Sequence, residues 1–176
     1  MEKGIMIWIS TVVIFILSGC SKDEDIANEL IDYYNNDWIA FQQMKQEALG
    51  KNQMELLQQQ EQSDEKASNF VEEEVLPNME EIIDYLHSIK LEHKSIKKLH
   101  QLQIEAEEYA YEGIKEYPAY YRGEVTDEEM NEYSEELEQK YDAFFIQLEK
   151  MMKKYEVTWD KHSYENGYYQ LIPAQD

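Results

Sequence analysis

The stretch that decides the fold is residues 126–155, TDEEMNEYSEELEQKYDAFFIQLEKMMKKY. Thr126 and Glu129 have the spacing of a capping box, in which each side chain accepts a free backbone N–H from the other residue. From Met130 onward, residues that are apolar except for one serine recur at alternating steps of four and three, which is the period of one helix face. Acidic residues fill the early turns and lysines the late ones, which complements the helix dipole. The pattern predicts a helix over residues 126–156 with this core face: Met130, Ser134, Leu137, Tyr141, Phe144, Leu148, Met151 and Tyr155.

The same spacing predicts two earlier helices. One begins near Ile26 and continues until the polar run 58–63, which resembles a turn region. The next begins near Ser63, with Pro77 as a kink or an interruption, and runs to a loop at 118–123. We therefore expect an all-α domain over residues 26–156, an elongated antiparallel three-helix bundle. Four helices, split at Gly50 and Pro77, are the alternative.

Composition restricts the class of protein. The chain has 176 residues and a formal net charge of −22, and it lacks a basic cluster that could neutralise phosphates, so no nucleic-acid partner is expected. Aromatic residues make up 12%, which argues against disorder. Cys20 is the only cysteine. No internal disulfide and no thiolate metal site can therefore form after it.

The first twenty residues carry the clearest motif. Residues 4–17 are almost wholly apolar and contain no charge, which is short for a permanent membrane span but typical of a secretory signal. The sequence Leu17-Ser18-Gly19-Cys20 then resembles the bacterial lipobox. The resemblance implies a signal peptide over residues 1–19, cleavage before Cys20, a diacylglyceryl group on its sulfur, and retention on the extracytoplasmic face of the cell membrane. Two acyl chains give a stable anchor where one holds only marginally. A plain secreted protein and an uncleaved membrane helix are the alternatives.

The layout is also similar to small lipoproteins of Gram-positive bacteria, with a lipobox, a short polar spacer (residues 20–25 here, including the lipidated cysteine) and charged helices. Some of these are described as cell-wall-binding lipoproteins. The resemblance implies a Gram-positive source and a place in the cell envelope. The negative charge opposes direct binding to an anionic wall, because like charges repel within a Debye length of ~8–10 Å.

Residues capable of chemistry are few. The pattern of a di-iron bundle requires a Glu-x-x-His pair on each of two helices, and none occurs in the sequence. Calcium-loop, nucleophile-elbow and phosphate-loop motifs are missing as well. We assign no catalytic, cofactor or metal residue and expect no enzyme. A small-ligand or metal-binding protein remains the rival class, and it would use the tyrosine-rich tail and the histidines: His87, His93, His100 and His162.

The tail over residues 157–176 is rich in aromatic residues around an Asn166-Gly167 turn. It either folds back on the bundle or offers Trp159, Tyr168 and Tyr169 to a partner. The expected function is a non-enzymatic adaptor, spacer or interaction module for an envelope protein. Because the strong negative charge attracts cations, that protein is expected to carry a basic patch. The acidic groups that we single out are Glu72, Glu73, Glu74, Glu135, Glu136 and Glu138.

Overall fold

The computed structural model describes residues 22–164 and 167–174, and these form four long helices and one small sheet. Helix α1 covers residues 22–62, and α2 covers residues 64–88. Helix α3 is Lys94–Tyr121, and α4 is Asp127–Lys154. Strands β1 (Val157–Trp159) and β2 (Leu171–Pro173) pair antiparallel. The all-α expectation is confirmed, with a two-stranded sheet in addition. Residues 22–25, expected as spacer, are helical and belong to α1.

The three-helix arrangement is not confirmed, because the second predicted helix is two helices. The chain leaves the helical conformation at Ile89 (φ −66°, ψ 127°) and re-enters it after His93 (φ −80°, ψ 133°). The carboxylate of Glu29 in α1 accepts the backbone N–H groups of Glu92 and His93 there. A helix N-terminus leaves such groups unpaired. Glu29 therefore stabilises the start of α3 across the bundle.

The alternative count of four helices is confirmed for the described residues, but its split points are wrong, since Gly50 and Pro77 both lie inside helices. Pro77 follows a π-helical segment, Val71–Val75, in which the N–H of Leu76 bonds the carbonyl of Val71. Proline has no N–H to donate to the carbonyl four residues earlier, so the helix ladder must be rearranged near it. The loop predicted at 118–123 begins later than expected, because α3 includes Pro118 and ends at Tyr121. A second π segment, Tyr33–Trp38, interrupts α1.

Side-chain contacts define the helix directions. Residue numbers rise together along α1 and α3, whereas they run in opposite senses along α1 and α2 and along α3 and α4. The helices therefore alternate in direction along the chain, as in an up-down-up-down bundle. The contacts are Tyr33–His100, Trp38–Gln103 and Lys45–Glu107 for α1 with α3; Asp37–Tyr85 and Asn52–Asn78 for α1 with α2; and Glu107–Tyr141 and Tyr109–Tyr133 for α3 with α4.

The predicted face of α4 is buried along half of its length. Phe144, Leu148, Met151 and Tyr155 are buried. The earlier members of the stripe are half-buried, except for Ser134, which is exposed. The predicted capping box is confirmed, because the Thr126 side chain accepts the N–H of Glu129 and the Glu129 carboxylate accepts the N–H of Thr126. Helix α4 therefore begins as predicted, and its first half lies at the edge of the core.

The tail folds back on the bundle. Leu171 is fully buried, and the Asn35 side chain donates to its carbonyl (2.9 Å) and accepts its N–H (2.7 Å). The Trp159 ring packs edge-on against Tyr34. One buried cluster joins the four helices and both strands, so residues 22–174 carry a core of their own. Among the described residues, no helix is both long and apolar enough to span a membrane.

Candidate functional site

The predicted lipidation motif lies outside the described residues. Cys20 and the preceding Leu17, Ser18 and Gly19 belong to residues 1–21, and the first described residue is Lys22. Lipidation is therefore inferred from the sequence of the motif alone.

The four histidines do not come together. His87 is exposed and lies 3.1 Å from Glu108, whereas His93 contacts Glu29 beside the start of α3. The backbone N–H of His162 donates to Asp160 in the tail. Within residues 22–164 and 167–174, no group of three or more potential ligands could hold a metal ion. The histidines thus have separate surroundings, and we assign no metal ligand.

His100 is a core residue. Its Nε2 lies 3.0 Å from the carbonyl of Leu86, which can only accept, so Nε2 carries the proton. Nδ1 then accepts from the hydroxyl of Tyr33 at 3.2 Å. Burial lowers the pKa of His100, even though the hydrogen bond to Leu86 acts in the opposite direction. The neutral imidazole is therefore the form that the fold prefers.

A chain of polar side chains crosses the core next to His100. The Trp38 indole donates to Gln103 (2.9 Å), and Gln103 donates to Glu107 (2.9 Å). Glu107 is fully buried, and Lys45 donates to both of its oxygens at 2.8 Å. Lys45 and Glu107 also contact the Tyr141 hydroxyl, whose pKa is raised by burial and by the Glu107 charge. Because the carboxylate is enclosed and paired, the network stabilises the core and offers a substrate no access.

The acidic groups that the sequence singled out are exposed. Glu72, Glu73 and Glu74 lie on the π segment of α2, and Glu135, Glu136 and Glu138 lie on α4. Glu136 also lies 3.6 Å from Lys140.

A concave acidic surface lies between α2 and α3. This acidic groove has a volume of about 780 Å³. Five carboxylates and one ammonium group line it, together with two tyrosine rings. The lining residues are Glu80, Ile83 and Asp84 from α2; Glu105, Glu108, Tyr109, Tyr111 and Glu112 from α3; and Lys140 from α4.

The tyrosines of the acidic groove are tied to its charges. The Tyr111 hydroxyl donates to Glu80, and this bond, with burial, raises the pKa of Tyr111 to about 12. Burial, followed by the contact with Glu136, raises the pKa of Tyr109. The Lys140 ammonium lies 4.7 Å from the centre of the Tyr109 ring. Both phenols are therefore neutral near pH 7, and their rings lie beside carboxylates.

This arrangement suits a cationic ligand. Carboxylates attract an ammonium or guanidinium group, and a tyrosine face adds a cation–π interaction of ~0.5–1 kcal/mol at an exposed site. The position of Lys140 over Tyr109 is an example within the protein itself. An open groove of this kind can accept several basic side chains of a protein surface.

The sequence predicts which acidic residues of the groove share a helix face. Glu105, Glu108 and Glu112 follow steps of three and four, and Glu80 and Asp84 are four apart, so each set shares one helix face. The sequence does not show that the two faces meet, because that depends on the break at 89–93. Comparisons of the chain with protein-family models, with curated proteins and with solved structures gave no match, so no family is assigned to it.

Proposed function

We propose that this protein is a lipid-anchored interaction module of the bacterial cell envelope. Acyl chains on Cys20 hold it on the extracytoplasmic face of the membrane, and the bundle binds an envelope protein that carries a basic patch. The observation that supports binding is the acidic groove, in which five carboxylates line one concave surface. The module acts by contact and catalyses no reaction.

The position of the acidic groove along the bundle fits this function. Lys22, two residues after Cys20, is already helical, so little chain separates the anchor from the bundle. Contacts place the stretch 78–85 of α2 beside residues 37–52 of α1, which are 15–30 residues beyond Lys22. With α1 perpendicular to the membrane, the groove stands about 22–45 Å above Lys22. This exceeds the Debye length of ~8 Å, so the negative charge of the lipid surface is screened at the groove.

The anchor is tested by metabolic labelling with an alkyne fatty acid in a bacterium that expresses the full chain. The wild-type protein should be labelled and found in the membrane fraction. Cys20→Ala should lose the label and accumulate as the unprocessed form. Ser21→Ala, which keeps the cysteine, is the matched control. Equal labelling of the Cys20→Ala variant would refute lipidation.

The binding surface is tested by site-specific crosslinking in the same cells. A photoreactive residue at position 105, in the acidic groove, should capture a partner that the same residue at position 73 does not. The partner is then purified, and its association with the soluble chain 21–176 is followed at several salt concentrations. Association should slow steeply as salt rises, because exposed charges are screened.

Two variants that remove the same number of charges distinguish acidic residues that contact the partner from those that only attract it at a distance. Glu105, Glu108 and Glu112 replaced by glutamine, and Glu72, Glu73 and Glu74 replaced likewise, each remove three negative charges. Both should slow association, but only the first should speed dissociation, by about tenfold if each exposed pair contributes ~0.5 kcal/mol. Equal dissociation rates for both variants would exclude the acidic groove as the contact surface.

A further inference from the structure

A second cavity has mainly apolar walls, in contrast to the acidic groove. This apolar pocket has a volume of about 420 Å³ and is formed where α1, α2 and α3 meet. Its size lies within the ~300–1,000 Å³ typical of small-molecule sites. The walls are mainly aliphatic and aromatic: Leu49 and Leu56 of α1, Val71 and Val75 of α2, and Ile114 and Tyr117 of α3.

One buried polar side chain lines this apolar pocket. Asn52 is 5% exposed, and its Oδ1 accepts from Asn78 at 3.5 Å. Its Nδ2 has no hydrogen-bond partner among the described residues. Leaving a buried donor unpaired costs ~1–3 kcal/mol, so such a group in a native fold calls for an explanation. A ligand that carries an acceptor would supply the missing partner.

The wall beside Asn52 is built from an unusual element. Val71 and Val75 are the two ends of the π segment of α2, and both are buried. A π segment inserts an extra residue into a helix turn, and such segments occur frequently at functional sites. Here the segment carries two of the apolar side chains that line the pocket.

We propose that the apolar pocket binds a neutral amphipathic small molecule, with an apolar body against the walls and a carbonyl-type oxygen that accepts from Asn52 Nδ2. A neutral ligand is favoured because the residues that line the pocket include no Lys, Arg or His, and the whole chain has a charge of −22. An anion would be repelled there. A cation would find no carboxylate in the lining.

The occupant is a separate molecule and not the protein's own lipid. Asn52 lies 30 residues beyond Lys22 along α1, which corresponds to a rise of about 45 Å. An acyl chain spans half of a bilayer core, ~15 Å. A chain attached to Cys20 would therefore end well short of the pocket. This proposal concerns a site distinct from the acidic groove and holds whether or not the groove binds a protein.

The test uses two fluorescent probes and the soluble chain 21–176. Prodan is a neutral naphthyl ketone whose emission responds to hydrogen bonding at its carbonyl, and its analogue with the ketone reduced to a methylene group lacks the acceptor. The wild-type chain should bind prodan about fivefold more tightly than the analogue, which corresponds to one hydrogen bond of ~1 kcal/mol. Asn52→Leu, which keeps a similar side-chain volume, should abolish this preference.

A second variant tests whether the probes bind in the apolar pocket. Leu56→Trp enlarges one wall side chain and should weaken the binding of both probes, whereas Met54→Trp, at a side chain that is 66% exposed and does not line the pocket, is the matched control. Circular dichroism and thermal unfolding establish that each variant is folded. If Asn52→Leu does not fold, the wild-type preference together with the Leu56→Trp result decides the question. The proposal is wrong if neither probe binds, if the wild-type chain binds both equally, or if Asn52→Leu retains the preference.

Discussion

The ion pair between Lys45 and Glu107 allows a sharp test of how the core is held together. The Glu107 side chain is fully buried, and the Lys45 side chain is 17% exposed. Lys45→Met keeps most of the side-chain volume and removes the charge, which leaves the carboxylate with Gln103 and Tyr141 as its partners. Breaking a buried pair on one side costs ~3–5 kcal/mol, because the remaining charge stays desolvated.

The reverse change should cost less. Glu107→Gln leaves the Lys45 ammonium unpaired, but part of that side chain already reaches water. We expect a loss of about 1–2 kcal/mol, as for a lost hydrogen bond to a charged group. The double variant removes both charges and should lie within about 1 kcal/mol of the wild type, since well-packed neutral replacements of buried pairs are often tolerated.

Urea unfolding of the chain 21–176, followed by circular dichroism, gives the free energy of unfolding of each variant. The expected result is strong coupling: the double variant loses less stability than Lys45→Met alone. Additive losses would show that the two side chains do not interact. A loss below about 1 kcal/mol for Lys45→Met would refute the inference that Glu107 is a desolvated charge.

Three further predictions use the same assay. Leu148→Ala should cost about 2–5 kcal/mol because Leu148 is fully buried, and Leu137→Ala should cost less than half as much because Leu137 is half-buried; equal losses would contradict the observed burial. Gly113→Ala should destabilise by about 1–3 kcal/mol because its Cβ would overlap the Tyr133 ring, whereas Gly50→Ala, with open space around it, should stabilise by about 0.5–1 kcal/mol; the same sign for both would refute this assignment. Burial lowers the pKa of His100 from 6.5, so the unfolded chain binds this proton at a higher pH than the folded chain does. The contribution of His100 to stability should be full above pH 6.5 and decline as the pH falls toward the folded-state pKa. His100→Gln should flatten this decline, and an unchanged pH profile would refute the prediction.

The parts of the fold that the sequence predicts are those determined locally. The capping box at Thr126 and the spacing from Met130 to Tyr155 involve residues within one helix, so the helix and its start follow from the sequence. The depth of burial along that face does not. Phe144 stacks on Trp38 of α1, whereas Met130 lies at the half-buried end of the helix. Which half of an amphipathic helix face is buried depends on where the neighbouring helices end.

The break at 89–93 explains why the described residues form four helices and not the preferred three. This segment contains neither glycine nor proline, and the apolar spacing continues across it through Ile89, His93 and Ile96. The group that stabilises the new helix start is Glu29, more than sixty residues away in sequence. Burial acts to raise the pKa of Glu29, but the two backbone N–H groups and His93 outweigh it and lower that pKa. A cap supplied from another helix leaves no local signal.

The same long-range contacts connect the core to the surface. The network from Trp38 through Gln103 to Glu107 fixes α3 against α1, because a slip of α3 by one turn would leave the Glu107 carboxylate buried without Lys45. Such a loss of pairing costs ~3–5 kcal/mol, which is a large fraction of the net stability of a domain, ~5–15 kcal/mol. Glu105, Glu108 and Glu112 lie on the same helix as Glu107 and would move with it. The buried ion pair thus fixes the acidic residues of α3 relative to α1, and α2 packs on α1 through Asn78 and Tyr85, so the shape of the groove depends on the register of α3 against α1.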